Sequence, residues 1–487
     1  MKARRTPMRG RLWRSLPELA RSMHLAEAPA PEFAPGADEP PDAVARRDFL
    51  RLVGASAALA GTSACNRATR QKIVPYAIQP PEAVPGNPIF FASSMALDGY
   101  AVGVVVESHE GRPTKIEGNQ SHPASLGATG PLEQASILDL YDPDRARGMT
   151  KGGNPRSWQA FVEAFAPRLA ADGAHLLVAA TSSPLIADQV ARLHERFPLL
   201  DVRWHAPLAP RAVWAGARIA FETVLEPRVS LAGAEVVLAL DSDFLAEGPA
   251  WRVMARDFAG GRRLRGASDK MNRLYAVEPV LSVTGMSADH RLRVRARDVL
   301  SVAASIALAL APLGAALPAE LLGALAPWAS RASMHAAWTS AVARDLYGRR
   351  GASVVLVGDG QPAEVHALGH ALNAVLRNVG RTISYAPSAI LGAGTDAFDL
   401  GPLASALERG EASTLIAIGG NPAYTGFADL DLARHMGAAQ ESAYVGPYVN
   451  ETARACDWFV PEAHYLESWG DGRAFDGSVS LSQPLIA

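Results

Sequence analysis

From Trp158 onward the chain alternates amphipathic, helix-like segments with short apolar runs, and this alternation limits its fold more than any other feature. Residues 160–169 and 184–197 read as helices. Ala174-His175-Leu176-Leu177-Val178-Ala179-Ala180, Glu235-Val236-Val237-Leu238-Ala239-Leu240, Ala352-Ser353-Val354-Val355-Leu356-Val357 and Thr414-Leu415-Ile416-Ala417-Ile418 read as strands. Runs that are apolar on successive residues have no solvent face, so they belong to parallel sheets covered by helices on both sides. The expected fold class is α/β. Sheets of this kind bind ligands at the carboxyl ends of their strands, which singles out Asp241, Asp359 and Asn421 as candidate contacts for a nucleotide-like group. No complete G-x-G-x-x-G or Walker A run follows these strands, and Asp359 between Gly358 and Gly360 equally suits a turn with a helix-start anion.

The region before Trp158 is organised differently. Residues 1–45 contain a short amphipathic patch around Trp13 and then Pro/Ala/Glu-rich sequence expected to be disordered. Residues 46–65 hold Arg46-Arg47-Asp48-Phe49-Leu50 ahead of a short Ala/Leu/Gly run, which reads as a twin-arginine export signal displaced from the amino end; an Arg-capped core helix is the other reading. Thr62-Ser63-Ala64-Cys65 closes that run, leaving Cys65 as a lipidation site or a free thiol. Residues 66–98, with Pro75, Pro80, Pro81, Pro85 and Pro88, are expected to form an extended arm. Residues 99–157 open with two strands about a Glu110-Gly111 turn, a small β unit. Beyond it, 158–345 and 346–487 are expected to be two α/β domains.

Composition removes several function classes. Of 487 residues, 47 are Lys or Arg and 49 Asp or Glu, giving a formal charge of −2 without basic blocks, which argues against nucleic-acid binding. The 2 cysteines, Cys65 and Cys456, are too few and too far apart for a disulfide framework, a structural zinc site or an iron–sulfur cluster held by this chain alone. Cys456 reads as a core thiol. Residues 299–319 are uncharged but broken by Pro312, Gly314 and Pro318, so a buried helix plus loop is expected there rather than a membrane span.

Three blocks then resemble the molybdopterin oxidoreductase family: 105–123, ending Gly118-Asn119-Gln120-Ser121-His122-Pro123; Leu140-Tyr141-Asp142-Pro143-Asp144-Arg145; and Gly419-Gly420-Asn421-Pro422 with 451–467. Together with Trp13-Arg14-Ser15-Leu16-Pro17-Glu18-Leu19 and the displaced twin arginine, they are similar to the molybdopterin-like half of the large iron–sulfur subunit of bacterial alternative complex III. The resemblance implies Rossmann-like parallel sheets, a small amino-terminal β unit and no final β-barrel cap domain. It also implies a place on the periplasmic side of the cytoplasmic membrane. The implied partners are a ferredoxin-like iron–sulfur subunit or half, multihaem and monohaem cytochromes c, and membrane quinol-binding subunits.

The same resemblance exposes departures. Active members hold a four-iron cluster with cysteines, and no cysteine stands between Cys65 and Cys456 here. Active members bind molybdenum through a Cys, selenocysteine, Ser or Asp; Ser182 and Ser183 are the side chains offered after the first strand, with Ser183 equally placed to cap a helix at Pro184. Asn119, His122, Asp241, Asp359 and Asn421 are thus vestigial cofactor contacts at most, Asn119 and His122 having a turn-stabilising alternative. His464 with Glu462 and Glu467 could suggest metal but lies in a block that resembles a structural signature. Arg262, Arg263 and Arg265, near Asp269, Lys270 and Arg273, read as a phosphate or carboxylate clamp or as a solvated loop. The expectation is a chain without catalytic residue, metal, molybdopterin or cluster of its own, acting as a scaffold in a quinol-oxidising complex. The alternatives are an active subunit of polysulfide- or thiosulfate-reductase type and an exported ligand-binding module.

Overall fold

Two Xaa-Gly pairs set the first fold unit. Asp98-Gly99 (φ 50° and 85°) and Glu110-Gly111 (φ 52° and 80°) are both left-handed, the geometry of two-residue turns whose twist matches that of the flanking strands. They connect β1 (Ile89–Leu97), β2 (Tyr100–His109) and β3 (Arg112–Gly118) into an antiparallel meander. The computed structural model describes residue 84 and residues 86–486 apart from 265 and 267, so the twin-arginine segment and Cys65 lie outside the described residues. The arm expected over 66–98 is corrected at its end: residues 89–97 pair along their whole length with β2, and the β unit starts before residue 99. The local signal for this strand is Asp98-Gly99, the same turn chemistry as Glu110-Gly111.

The remaining strands are β4 (Thr150–Lys151), β5 (Asn154–Pro155), β6 (Ala174–Ala179), β7 (Asp201–His205), β8 (Leu225–Val229), β9 (Val236–Leu240), β10 (Arg273–Glu278), β11 (His290–Arg293) and β12 (Ser353–Val357). They continue with β13 (Ile383–Pro387), β14 (Thr414–Ile418), β15 (Glu441–Gly446), β16 (Trp458–Pro461), β17 (Gly470–Arg473) and β18 (Val479–Ser482). A 4-stranded sheet has the order β11-β10-β9-β12 and is parallel throughout. A 7-stranded sheet has the order β5-β4-β16-β15-β14-β6-β7; it is parallel from β16 to β7, with β4 antiparallel on the edge of β16. Two small pairs, β8 with β13 and β17 with β18, are antiparallel.

Each large sheet takes strands from both sides of the boundary expected at residue 345. β12 inserts beside β9, and β14, β15 and β16 extend the sheet begun by β6 and β7. The local pattern tells that a strand exists; which strand it pairs with is decided by packing across more than a hundred residues.

The cores follow from the all-apolar strands. In β9, Leu238 and Leu240 pack with the helices Val299–Leu310 and Ala336–Gly348, while Val237 and Ala239 pack on the other face with Phe244 and Phe258. Each buried leucine contributes about 2 kcal/mol. Residues 296–313 are long and apolar enough to cross a membrane by length and composition. In this fold Val299, Ala303, Ile306 and Leu310 of that stretch are each 0% exposed in the sheet core, and Gly314 turns the chain at φ 100° after the helix.

A buried ion pair fastens the β unit to the α/β layers. Glu133, on the helix Pro131–Tyr141, pairs with Arg252 on the helix Trp251–Gly260, their side chains 1% and 4% exposed. The second Glu133 oxygen accepts the Gly130 amide at 2.9 Å and caps its own helix. Removing one charge strands the other, so Arg252→Ala should cost about 3–5 kcal/mol in denaturant unfolding, whereas the double change Glu133→Met with Arg252→Met should recover most of it. Equal losses for the single and double variants would show that the pair contributes only packing.

Candidate functional site

At the carboxyl end of the four-stranded sheet the backbones converge. Asp241 follows β9 in the left-handed region (φ 53°), its amide donating to the Val277 carbonyl at 2.7 Å, while the Gly358 amide after β12 donates to the Leu240 carbonyl at 3.0 Å. A Cβ on Gly358 would stand 1.7 Å from the Asp241 carbonyl oxygen, so only glycine fits. Gln361 Nε2 donates to Asp241 Oδ2 at 2.7 Å; Gln361 Oε1 is buried with no partner among the described residues. Burial pushes the Asp241 carboxyl up, the Gln361 hydrogen bond opposes this, and Glu278 adds to it. Asp359 is pushed up by burial, then by Glu247 and Glu226.

Glu226 on β8 is the hub of that end. It accepts from Tyr100 Oη at 3.0 Å, Trp214 Nε1 at 3.2 Å and Ser388 Oγ at 2.7 Å. Burial and then the Glu226 charge raise the Tyr100 phenol well above its ordinary range. These donors come from three separate parts of the chain, so no sequence spacing announces them.

The seven-stranded sheet ends differently. After β14, Gly419 and Gly420 are both left-handed (φ 69° and 64°), and Asn421 turns inward. Its Nδ2 donates to Glu451 Oε2 at 2.6 Å, and its Oδ1 accepts from Thr452 Oγ1 at 2.6 Å and the Thr452 amide at 3.2 Å. After β6, Ser183 Oγ accepts the Ile186 amide at 3.0 Å as the cap of the helix Pro184–Arg196, and donates to Asp471. Ser182 Oγ donates to the Arg473 carbonyl at 2.7 Å and accepts the Arg473 amide at 3.0 Å. Strand β17 therefore lies against the carboxyl end of β6, and Asp471, unremarked in the sequence, holds it there.

Asn119 and His122 serve the β unit. Asn119 Oδ1 accepts the Ser121 amide at 2.9 Å, closing an Asx turn. His122 Nδ1 accepts the Ala124 amide at 3.2 Å, which leaves Nε2–H to donate to Ser480 Oγ on β18 at 2.8 Å. Burial lowers the His122 pKa. A Cβ on Gly103 would stand 2.2 Å from that ring, so Gly103 makes its room. The five sequence candidates are thus not one site: Asp241 and Asp359 share the end of one sheet, Asn421 ends the other, and Asn119 and His122 hold the meander.

Two of the blocks singled out in the sequence meet directly through Arg145 and Glu467, and further contacts run from them to residues just outside. Arg145 forks onto Glu467 at 3.1 and 2.6 Å, Tyr448 Oη donates to Asp142 at 2.9 Å, and His464 Nε2 donates to the Ser136 carbonyl at 3.1 Å. Arg145 holds the Glu467 carboxyl below its ordinary value. Among the described residues no group of three or more His, Cys, Asp or Glu side chains is placed to hold a metal ion. Cys456 packs at the margin of a core cluster, and burial pushes its thiol up to about 12.

Among the described residues this architecture, mixed α/β with parallel sheets covered on both faces and no closed barrel, is a molybdopterin-oxidoreductase-like fold. One solved structure it is similar to is acetylene hydratase from Pelobacter acetylenicus, with a TM-score of 0.58 at 12% identity over 81% of this chain and 66% of that one. No protein-family model and no curated protein matches the chain.

Two outcomes test this geometry. Gly358→Ala should destabilise the fold by about 3 kcal/mol, because a backbone oxygen cannot yield as a side chain can; a variant as stable as the parent in urea would mean that β9 and β12 do not converge there. His366 and His370, 4% and 7% exposed on the helix Ala363–Val375, are both pushed down to about 4, by burial first and for His370 also by His366. The folded chain keeps both neutral, while unfolded imidazoles bind protons below about pH 6.5. Their contribution is full above pH 6.5 and is lost as pH falls toward 4, by up to about 3 kcal/mol per imidazole. Replacing both with Gln should flatten the loss of stability between pH 7 and pH 5; a variant with the parent's slope would contradict this.

Proposed function

We propose that the chain is a non-catalytic scaffold subunit of a membrane-associated, quinol-oxidising electron-transfer complex resembling alternative complex III. The observation that carries the reading is how the polar groups at the strand ends are spent. Ser182 and Ser183 are turned to β17, Asn421 to Glu451 and Thr452, Asp241 to Gln361, and His122 to Ser480. A molybdenum-bearing pterin needs a metal ligand and a row of free donors at these ends. The side chains offered after the first strand do not fit it: no thiol stands between Cys65 and Cys456, and Ser182 and Ser183 already have partners. No chemical step is therefore derived through that group.

On this proposal the chain is exported by the twin-arginine route through Arg46, Arg47, Phe49 and Leu50 and stands on the periplasmic side of the membrane. Cys65 is its possible lipid anchor. Electrons pass through the iron–sulfur clusters and haems of its partners, namely a ferredoxin-like half or subunit and cytochromes c, from membrane subunits that bind quinol. The fold of the chain supplies the rigid surface on which they are oriented.

The deciding experiment is elemental analysis for molybdenum, tungsten and iron, with pterin fluorescence after oxidation, on folded chain from a molybdenum-replete host. No metal and no pterin is expected. About one molybdenum per chain would overturn the proposal in favour of an active subunit of polysulfide- or thiosulfate-reductase type. One atom favours a second reading, a ligand-binding module: Gln361 Oε1, buried without a partner beside Asp241. Purine nucleotides that raise the melting temperature of the parent but not of Gln361→Leu would support it.

A further inference from the structure

Because β9, β10 and β12 are parallel, their amino ends share one edge, opposite the carboxyl ends described above. The described residues of 261–272 and the loops 349–352 and 377–381 gather there. Three of their cations are neutralised within the fold: Arg262 by Asp289 at 3.2 Å, Arg349 by Glu235 at 3.1 Å, and Arg273 by Asp345. Four others, Arg263, Lys270, Arg377 and Arg381, are exposed and have no carboxylate partner among the described residues. A chain of formal charge −2 thus carries a local positive excess on this edge.

The same edge exposes apolar groups. Leu264, Met271 and Val379 are 53%, 51% and 47% exposed, each within two residues of one of these unpaired cations. At the amino ends of β9 and β10 lies a cavity of about 320 Å³ lined by Lys270, Met271, Arg273 and Arg349 together with Glu235 and Asp289. Arginine and methionine beside isolated aliphatic groups form the mixture enriched at protein interfaces, and unpaired surface charge gives such an interface its complement.

We infer that the amino-terminal edge of the four-stranded sheet docks an acidic, partly apolar segment of a partner protein. Its carboxylates meet Arg263, Lys270, Arg377 and Arg381, and an apolar side chain enters the cavity beside Met271. An anionic lipid surface fits less well, because it is too flat to fill a concave wall. The two readings of the arginine cluster in the sequence are thereby divided, with Arg262 used inside the fold and Arg263 and Lys270 left for a partner. The inference stands apart from the proposed scaffold role, since it uses the opposite end of the sheet and would hold for an enzyme as well.

The probe is a fluorescein-labelled peptide of roughly 14 residues, alternating Glu with two central Leu, read by anisotropy against the full chain. Saturable binding is expected, weakened about tenfold in the triple variant Lys270→Glu, Arg377→Glu, Arg381→Glu and about threefold in Leu264→Ser with Met271→Ser. Arg192→Glu with Arg196→Glu, on the distant helix Pro184–Arg196, should bind as the parent does. Binding equal in parent and triple variant would overturn the inference, as would failure of the parent to bind. Capture of the parent, but not the triple variant, on phosphatidylglycerol vesicles in preference to the peptide would overturn it in favour of a membrane-facing edge.

Discussion

Strand β9 sets the terms for the rest of the chain. All five of its residues are buried, both its edges are paired, and neither face reaches water. Such a strand is stable only if helices cover each face, and parallel neighbours require long crossovers to reach it. The helices Val299–Leu310 and Ala336–Gly348 lie on one face and the Phe244 and Phe258 layer on the other, while β12 must return from far along the chain to close the second edge. The convergence at Asp241 and Gly358 is the local cost of bringing those two strand ends together.

The strand ends then determine what chemistry is open to the fold. In parallel α/β sheets these ends are where ligands are usually received, because backbone groups there lack strand partners. Here the same positions are filled from within: β17 lies against β6 through Ser182, Ser183 and Asp471, and Asn421 is held by the helix Glu451–Ala455. A polar group that has exchanged water for a protein partner has little further to gain from a ligand. At the Gln361–Asp241 pair this sealing is incomplete, since one amide oxygen has no donor among the described residues.

Much of the architecture was legible residue by residue. The apolar runs at 174–180, 235–240, 352–357 and 414–418 are strands, Ser183 caps its helix as Ser-Pro suggests, and the Pro312, Gly314 and Pro318 punctuation ends a buried helix. Asn119 forms the turn that its type favours. The site was less legible. Glu226, Asp471, Gln361 and Tyr100 carry no local signal, because each acquires its role from a residue more than ten positions away: Glu226 from Tyr100, Trp214 and Ser388, Asp471 from Ser183, and Gln361 from Asp241. Strand β1 follows directly on Pro85 and Pro88, which by themselves suggest an extended arm, and its local signal is the Asp98-Gly99 turn that ends it.

By itself, then, the sequence determined the element types, the class of the fold and the lack of cysteines for a cluster, because periodicity, turn chemistry and composition are local or additive properties. Tertiary structure alone decided that the two sheets interleave across residue 345, that Glu133 and Arg252 meet in the interior, and that the polar groups at the strand ends face one another. Those outcomes depend on which distant surfaces bury one another, and pairing across such intervals leaves no periodic trace in the chain.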